Sequence, residues 1–442
     1  MNSFRYIILS ASLAVTSMIA DAQPRMVAGG DLSLVPAYEK AGDVWLDASE
    51  KAINTTYSDG MLTYVKEVAG WNSVRVRLFV DPTKDNDLAT CQDLAYVKDF
   101  GRRIKAAGLD FLLDIHYSDT WADPVGQKIP SSWGFSTSTS NEVMAQKVYD
   151  YTTEVLQELK AADATPDFVQ VGNEISYGML WRSNSDKCYP SQAYNATTWG
   201  RLAMLLGNGC NAVREQCPDA RIILHIERAA SSEQTTNFFT YLQQAGLADN
   251  AYDIIGLSYY PFWHGQLSQL EESVNALGEK FPSKEVQIVE IGWNCNTYYP
   301  DDATYSADKF PSWPLSPEGQ AQLLTDLIAM LKGHSNATGI YYWCPEECGN
   351  GANQAGENQV MGGWMNRGFW ELTWKSGQHK LISEDALMTI STFLPAESHI
   401  DNINEDEDEN ENEGCIFDIL GRKVNNPVHG HIYIQNGQKK VF

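Results

Sequence analysis

The chain has 442 residues, 43% of them hydrophobic, which is enough for one large domain and a small appendage. A formal net charge of −25 argues against nucleic acid and anionic membrane surfaces, since both attract basic patches. A neutral ligand fits better than a polyanion, and 13 Trp with 21 Tyr suit one whose apolar face stacks on rings, although excess tryptophan is often core.

In chain order, residues 1–22 have the form of a secretory leader. Arg5 supplies the positive start, residues 6–20 are apolar, and Ala20-Asp21-Ala22 is a small-x-small cleavage site. The apolar run is too short to span a bilayer, and no other stretch reaches that length, so no transmembrane span is expected. The mature protein is expected to begin near Gln23 and to be exported to the periplasm, the cell surface or the medium.

Eight apolar runs follow, at 26–30, 71–80, 110–116, 168–174, 221–227, 252–260, 286–290 and 339–343. Most of the segments between them carry helical spacing, among them 94–107, 143–160 and 320–332. This alternation predicts an α/β fold, a (β/α)8 TIM barrel with enlarged loops, over residues 23–396. An open doubly wound sheet competes, but no Gly-rich phosphate loop follows the first run. A last barrel helix is expected near 384–393. Residues 397–413 are almost wholly Asp, Glu and Asn, a self-repelling run that reads as a solvated linker. Residues 414–442 read as three short strands, a β-rich appendage too small for its own core.

Eight cysteines in an exported chain make disulfides possible without fixing their pairing. Cys210 with Cys217 and Cys344 with Cys348 are close enough to consider. No second Cys or His pair accompanies CPEEC (344–348), so zinc is not the expected reading. Bridges or buried small hydrophobes are.

Two glutamates end apolar strands, Glu174 in FVQVGNE and Glu290 in EVQIVE. The C-terminal ends of barrel strands form the catalytic face, and a carboxylate pair there is what glycosidic bond cleavage needs. Singly, each is as readily a structural acid paired with Arg or Lys. Together they are read as general acid/base (Glu174) and nucleophile (Glu290), about 5–5.5 Å apart. Asn173 can hydrogen-bond a sugar 2-hydroxyl. Arg75 and Arg77 share one strand face and could donate to a carboxylate, as could Tyr260 to Glu290. HYSDTWADP brings His116, Asp119, Trp121 and Asp123 after the third strand, in a loop suited to a polyhydroxy ligand. His225 and Glu227 end the fifth strand, where a histidine is as often a satisfied core residue. Trp263 and His264 follow the sixth, and Trp343 ends the eighth.

The stretches GGDLS (29–33), RVRLFVDP (75–82), DIHYSDTWADP (114–124), VQVGNEISYGMLW (169–181), DIIGLSYYPFWHG (253–265), VEIGW (289–293) and YYWCPE (341–346) together resemble glycoside hydrolase family 53, the endo-β-1,4-galactanases. With Asp31 from GGDLS, the candidate substrate-binding set is Asp31, Arg75, His116, Trp121, Asp123, Asn173, His225, Tyr260, Trp263 and Trp343. The resemblance implies a retaining mechanism, with Glu174 as acid/base and Glu290 as nucleophile, on β-1,4-galactan side chains of pectin. Family versions of the seventh-strand motif often have Thr where this chain has Ile291, which leaves the carboxylate in place. No cofactor is expected to be required, and a monomer is expected. Bacterial relatives can carry a structural calcium in loops after strands seven and eight, for which Asp301, Asp302 and Asp308 are the candidates. The last segment, with FDILGRKV and HIYIQNGQKKV, resembles terminal pieces of secreted Bacteroidetes proteins. The alternatives are the same chemistry on mannan or cellulose, and a surface glycan-binding protein without turnover.

Overall fold

A computed structural model of the chain describes residues 24–297, 307–346, 366–373 and 377–395, and strands at 416–417, 432–435 and 438–441. Eight parallel strands close into a barrel: β1 (Val27–Asp31), β2 (Ser73–Leu78), β3 (Asp110–Ile115), β4 (Phe168–Val171), β5 (Arg221–Ile226), β6 (Ile254–Tyr259), β7 (Glu285–Ile291) and β8 (Ala337–Trp343). They pair in chain order, and β1 against β8 completes the ring. Every residue of β1, β2, β3, β4, β6 and β8 is buried, which is why these strands read as near-continuous apolar runs. Val27, Leu112, Phe168, Ile223, Ile254, Val289 and Tyr341, from seven of the eight strands, form a separate cluster that fills the barrel's interior.

The surrounding helices follow their sequence signals. Leu94–Ala106 begins where the Asp93 side chain accepts the Tyr96 N–H, and it buries Val97, Phe100, Gly101 and Ile104, an i, i+3, i+4, i+7 stripe. Asn141–Ala161 and Pro317–Lys332 are capped by Ser140 and Ser316 in the same way. Glu384–Thr389 is the last α-helix of this part of the chain.

One element was not expected. Val44–Leu46, Trp370–Thr373 and Gln378–Leu381 form a three-stranded sheet outside the barrel. The cysteine pairings considered from sequence also need correction. Cys91, Cys188, Cys210, Cys217 and Cys344 are free, whereas Cys295 is disulfide-bonded. Cys210 lies in the helix Ala196–Gln216 and Cys217 caps its end. Seven residues of helical rise separate their Cα atoms by about 10 Å, beyond a disulfide's span.

The chain divides into two compact units, Met1–Pro395 and Ala396–Phe442. In the second, Ile416–Phe417, Ile432–Gln435 and Gln438–Val441 make an antiparallel sheet. The expected leader (1–22) and acidic linker (397–413), with Asp301, Asp302, Cys348 and Cys415, lie outside the described residues. Among the described residues, no helix is long and apolar enough to cross a membrane.

Candidate active site

Strict alternation along β7 turns Gln287 and Val289 inward and would turn Glu290 outward. A register shift prevents this. Leu257 of β6 pairs with Ile288 of β7, but the next residue, Ser258, pairs with Glu290, so β7 carries one extra residue there. The bulge lets Val289 pack in the barrel interior while Glu290 also faces the mouth. At β4 the backbone makes the same correction by another route. Gly172 (φ 86°) and Glu174 (φ 43°) both adopt left-handed conformations, so Asn173 and Glu174 turn in together over the strand's end. For glutamate that conformation is sparsely populated, and such residues cluster at functional sites.

The two carboxylates have different partners. Glu290 Oε1 lies 2.9 Å from Arg75 Nη2, and its Oε2 accepts the Tyr260 hydroxyl at 2.9 Å. Arg75 is wholly buried and also meets Asp31 (2.7 Å) and Asp114 (2.8 Å), and it donates to Asn173 Oδ1 at 3.0 Å. Among the described residues Glu174 has no guanidinium partner; its Oε1 accepts the Ser258 hydroxyl at 2.7 Å. Ser258, in β6, and Tyr260, the first residue past its end, lie two residues apart and give one hydroxyl to each glutamate. Burial pushes the Glu174 carboxyl well above the usual range, and the charges of Glu290 and Glu227 push it further. Burial, with the Asp114 and Asp31 charges, raises Glu290 as well; the Arg75 guanidinium and the Tyr260 hydroxyl oppose this without cancelling it. Of the two, Glu174 is raised further, so it is the group that more readily holds a proton.

Both glutamates open on one cavity of about 560 Å³ at the C-terminal end of the strands. Of the residues singled out from sequence, Trp121, Asp123, Asn173, Glu174, Glu227, Tyr260, Trp263, His264, Glu290 and Trp343 line it. Asp31, Arg75, His116 and His225 do not line it. They lie a layer deeper and act on the wall from behind. His116 Nε2 lies 3.1 Å from Asp114 Oδ2, and its Nδ1 accepts the Ala122 N–H (3.1 Å), which fixes the loop carrying Trp121. Asp119 is a loop fastener, accepting N–H groups of Asp81 (3.1 Å) and Ser131 (2.7 Å). Arg77 lies 5.0 Å from the Trp121 ring centroid and 5.7 Å from that of Trp343, supporting both indoles.

The cavity also contains residues outside the sequence-derived set: Asp87, Arg228 and Arg367, with Glu227 closer to the site than its strand-end position alone suggested. Asp87 accepts the Trp121 indole N–H at 2.8 Å. Arg228 pairs with Glu227 and lies 4.9 Å from the Tyr177 ring. Arg367 lies over the rings of Phe262 (4.6 Å) and Trp263 (5.2 Å). Ser258 was the one omission with a usable signal: it shares strand parity with Tyr260 in GLSYYPFWHG. For calcium, Asp308 is exposed on the single turn Ala307–Lys309, and among the described residues no group of three or more His, Cys, Asp or Glu is placed to hold a metal.

The sequence profile of glycosyl hydrolase family 53 matches residues 27–385. A Cellvibrio japonicus protein named arabinogalactan endo-β-1,4-galactanase is 34% identical over 346 residues, 76% of this chain and 84% of that protein. An Aspergillus niger protein named arabinogalactan endo-β-1,4-galactanase A is 32% identical over 288 residues, 64% of this chain and 76% of that one. Among solved structures, a fungal β-1,4-galactanase superposes with a TM-score of 0.65 at 26% identity, covering 84% of this chain and 100% of its own. The family 53 catalytic domain of Ignisphaera aggregans gives 0.67 at 26% identity, covering 83% and 96%.

Proposed function

The chain belongs to glycosyl hydrolase family 53, and from that premise we propose that it hydrolyses internal β-1,4-galactosidic bonds of (arabino)galactan with retention, using Glu174 as acid/base and Glu290 as nucleophile. The substrate class follows from the relatives, which carry the name arabinogalactan endo-β-1,4-galactanase. The assignment of roles rests on one observation: Glu290 has both a guanidinium and a phenol hydroxyl, while Glu174 has a single hydroxyl and two carboxylate neighbours.

In the first step Glu290 attacks the anomeric carbon and the glycosidic C–O bond breaks. The proton on Glu174 goes to the departing oxygen. In the second step the Glu174 carboxylate takes a proton from water, whose oxygen displaces Glu290 from the sugar. Asn173 spends its Oδ1 on Arg75 and one amide hydrogen on Ala122 O (2.8 Å), which leaves one hydrogen for the 2-hydroxyl. The indoles of Trp121, Trp263 and Trp343 supply flat apolar faces for successive sugars. Asp123, in the same wall, accepts two backbone N–H groups at 2.7 Å and presents its carboxylate edge to ligand hydroxyls. Export through the leader at 1–22 and a monomeric state belong to the same reading. Amino-terminal sequencing of secreted protein and light scattering test them.

Incubation with potato galactan, mannan and cellulose, with reducing ends measured over time, tests the function. Release from galactan alone is expected. Equal release from mannan or cellulose overturns the substrate, and galactan binding without reducing ends favours a binding protein.

A further inference from the structure

Behind Glu174 lies a hydrogen-bonded pair that the two-step mechanism above does not use. Ser258 Oγ, which donates to Glu174 Oε1, is 2.8 Å from His225 Nε2. Both residues are fully buried. The other ring nitrogen, Nδ1, is approached by the Gln170 amide nitrogen at 3.0 Å and by the backbone N–H of Glu174 itself at 3.4 Å. The orientation of Gln170 is fixed independently, because its amide nitrogen also donates to Asp114 and its Oε1 faces Arg75. Two N–H donors aimed at Nδ1 call for a bare lone pair there, which puts the ring proton on Nε2. The nearby Asn173 Oδ1, 2.9 Å from Nδ1, already accepts from Arg75 Nη2 at 3.0 Å, so the two Gln170 hydrogens serve Asp114 and Nδ1.

We propose that Ser258 and His225 are the positioning pair of the acid/base. His225 donates from Nε2 to Ser258 Oγ, the Ser258 proton is thereby committed to Glu174 Oε1, and the transferable proton is confined to Oε2. The hydroxyl hydrogen has only one outlet, since the histidine already occupies its acceptor side with a donor. The same histidine receives the Glu174 backbone N–H, so it fixes the left-handed backbone and the carboxyl of one residue together. A free serine could rotate and leave the proton shared between both carboxyl oxygens. The charged groups facing Glu174 are Glu290 of β7, Glu227 of β5 with its partner Arg228, and Asp123 from the loop after β3. His264, lining the same wall, is held neutral by burial, its value pushed down to about 3.

This inference rests on Glu174 being the acid/base. The Ser258→Ala variant removes one oxygen atom and leaves the fold's packing nearly intact. A hydroxyl donating to a carboxylate favours the charged form, so its loss should move the basic limb of kcat/KM upward by about one to two pH units. The acid limb, which reports Glu290, should stay. His225→Leu should move the basic limb in the same direction, and ¹⁵N shifts of His225 in the wild type should report the Nε2–H tautomer. A basic limb that coincides with the wild type in folded Ser258→Ala protein, or an Nδ1–H tautomer, overturns the proposal. A separate arm keeps the two readings apart: on an aryl β-galactoside whose leaving group departs without a proton, Glu174→Ala should regain turnover with azide, which displaces Glu290 from the sugar to give a β-glycosyl azide. Failure of that rescue counts against Glu174 as acid/base; rescue with an unmoved Ser258→Ala limb counts against the positioning pair alone.

Discussion

Replacing Tyr260 with Phe removes the hydroxyl that holds Glu290 Oε2 at 2.9 Å and keeps the ring that packs beside Trp263, 5.4 Å between centroids. Glu290 is buried, and its remaining partner is Arg75 on the other oxygen. A hydrogen bond to a charged group is worth about 1.5–3 kcal/mol. At about 1.4 kcal/mol per pH unit, its loss raises the Glu290 carboxyl by roughly one to two units. The direction follows from the donor favouring the carboxylate: without it the protonated form gains. The acid limb of kcat/KM on galactan, which reports the free enzyme's nucleophile, should therefore move up by that amount. The rate at the optimum should fall by about ten- to a hundredfold, because the same hydroxyl orients the attacking oxygen. The assay is reducing-end release across the pH range, with a thermal melt to show that the fold survives. An acid limb that does not move in folded protein would refute Tyr260 as the donor that keeps Glu290 ionised.

Glu290→Gln should abolish hydrolysis while galactan oligosaccharide binding, followed by calorimetry, stays within a few-fold of wild type; lost binding in folded protein would point to a different role. Trp263, 46% exposed at the cavity edge, should act mainly in binding, so Trp263→Ala is expected to raise KM by up to about tenfold. Its kcat should change little; an equal fall in kcat would place Trp263 at the reacting sugar instead. Glu346 is fully buried, accepts the Leu34 N–H at 3.0 Å, and has been pushed by burial from 4.5 to about 8. Its folded value exceeds its unfolded one, so the stability it permits is full below about pH 4.5 and is lost as pH rises toward 8. Glu346→Gln should therefore melt higher than wild type by a margin that grows from about pH 5 to 8. A margin independent of pH would contradict this.

The barrel was legible because its strands are buried on both faces and their apolar runs are unbroken, as in DFLLDI and YDIIGLSYY. The helices expected over 94–107, 143–160 and 320–332 were legible from their apolar spacing, but two of them start earlier, at Asn141 and Pro317, where Ser140 and Ser316 cap the backbone. The small sheet of Val44–Leu46, Trp370–Thr373 and Gln378–Leu381 was not, since three or four residues carry no period and Val44–Leu46 pairs with a strand more than 300 positions away. Within the site, strand ends pointed to both glutamates, but simple alternation would have turned Glu290 away from the cavity. The bulge at β7 and the left-handed backbone at Gly172 and Glu174 bring the pair inward, and neither has a composition signal. Parity along RVRLF correctly put Arg75 and Arg77 on one face, yet it could not tell that Arg75 sits beneath the cavity among three carboxylates. Arg228 and Arg367 follow no motif; they reach the cavity through connecting segments whose course depends on tertiary packing.

The account's central claim is a covalent link between Glu290 and the sugar. Treating the protein with a 2-deoxy-2-fluoro galactooligosaccharide bearing a good leaving group, then digesting it for mass spectrometry, reads that link directly. A single adduct on the peptide containing Glu290, formed as activity is lost, is the predicted result. An adduct on another carboxylate, or turnover giving the inverted anomer with no adduct, would contradict it.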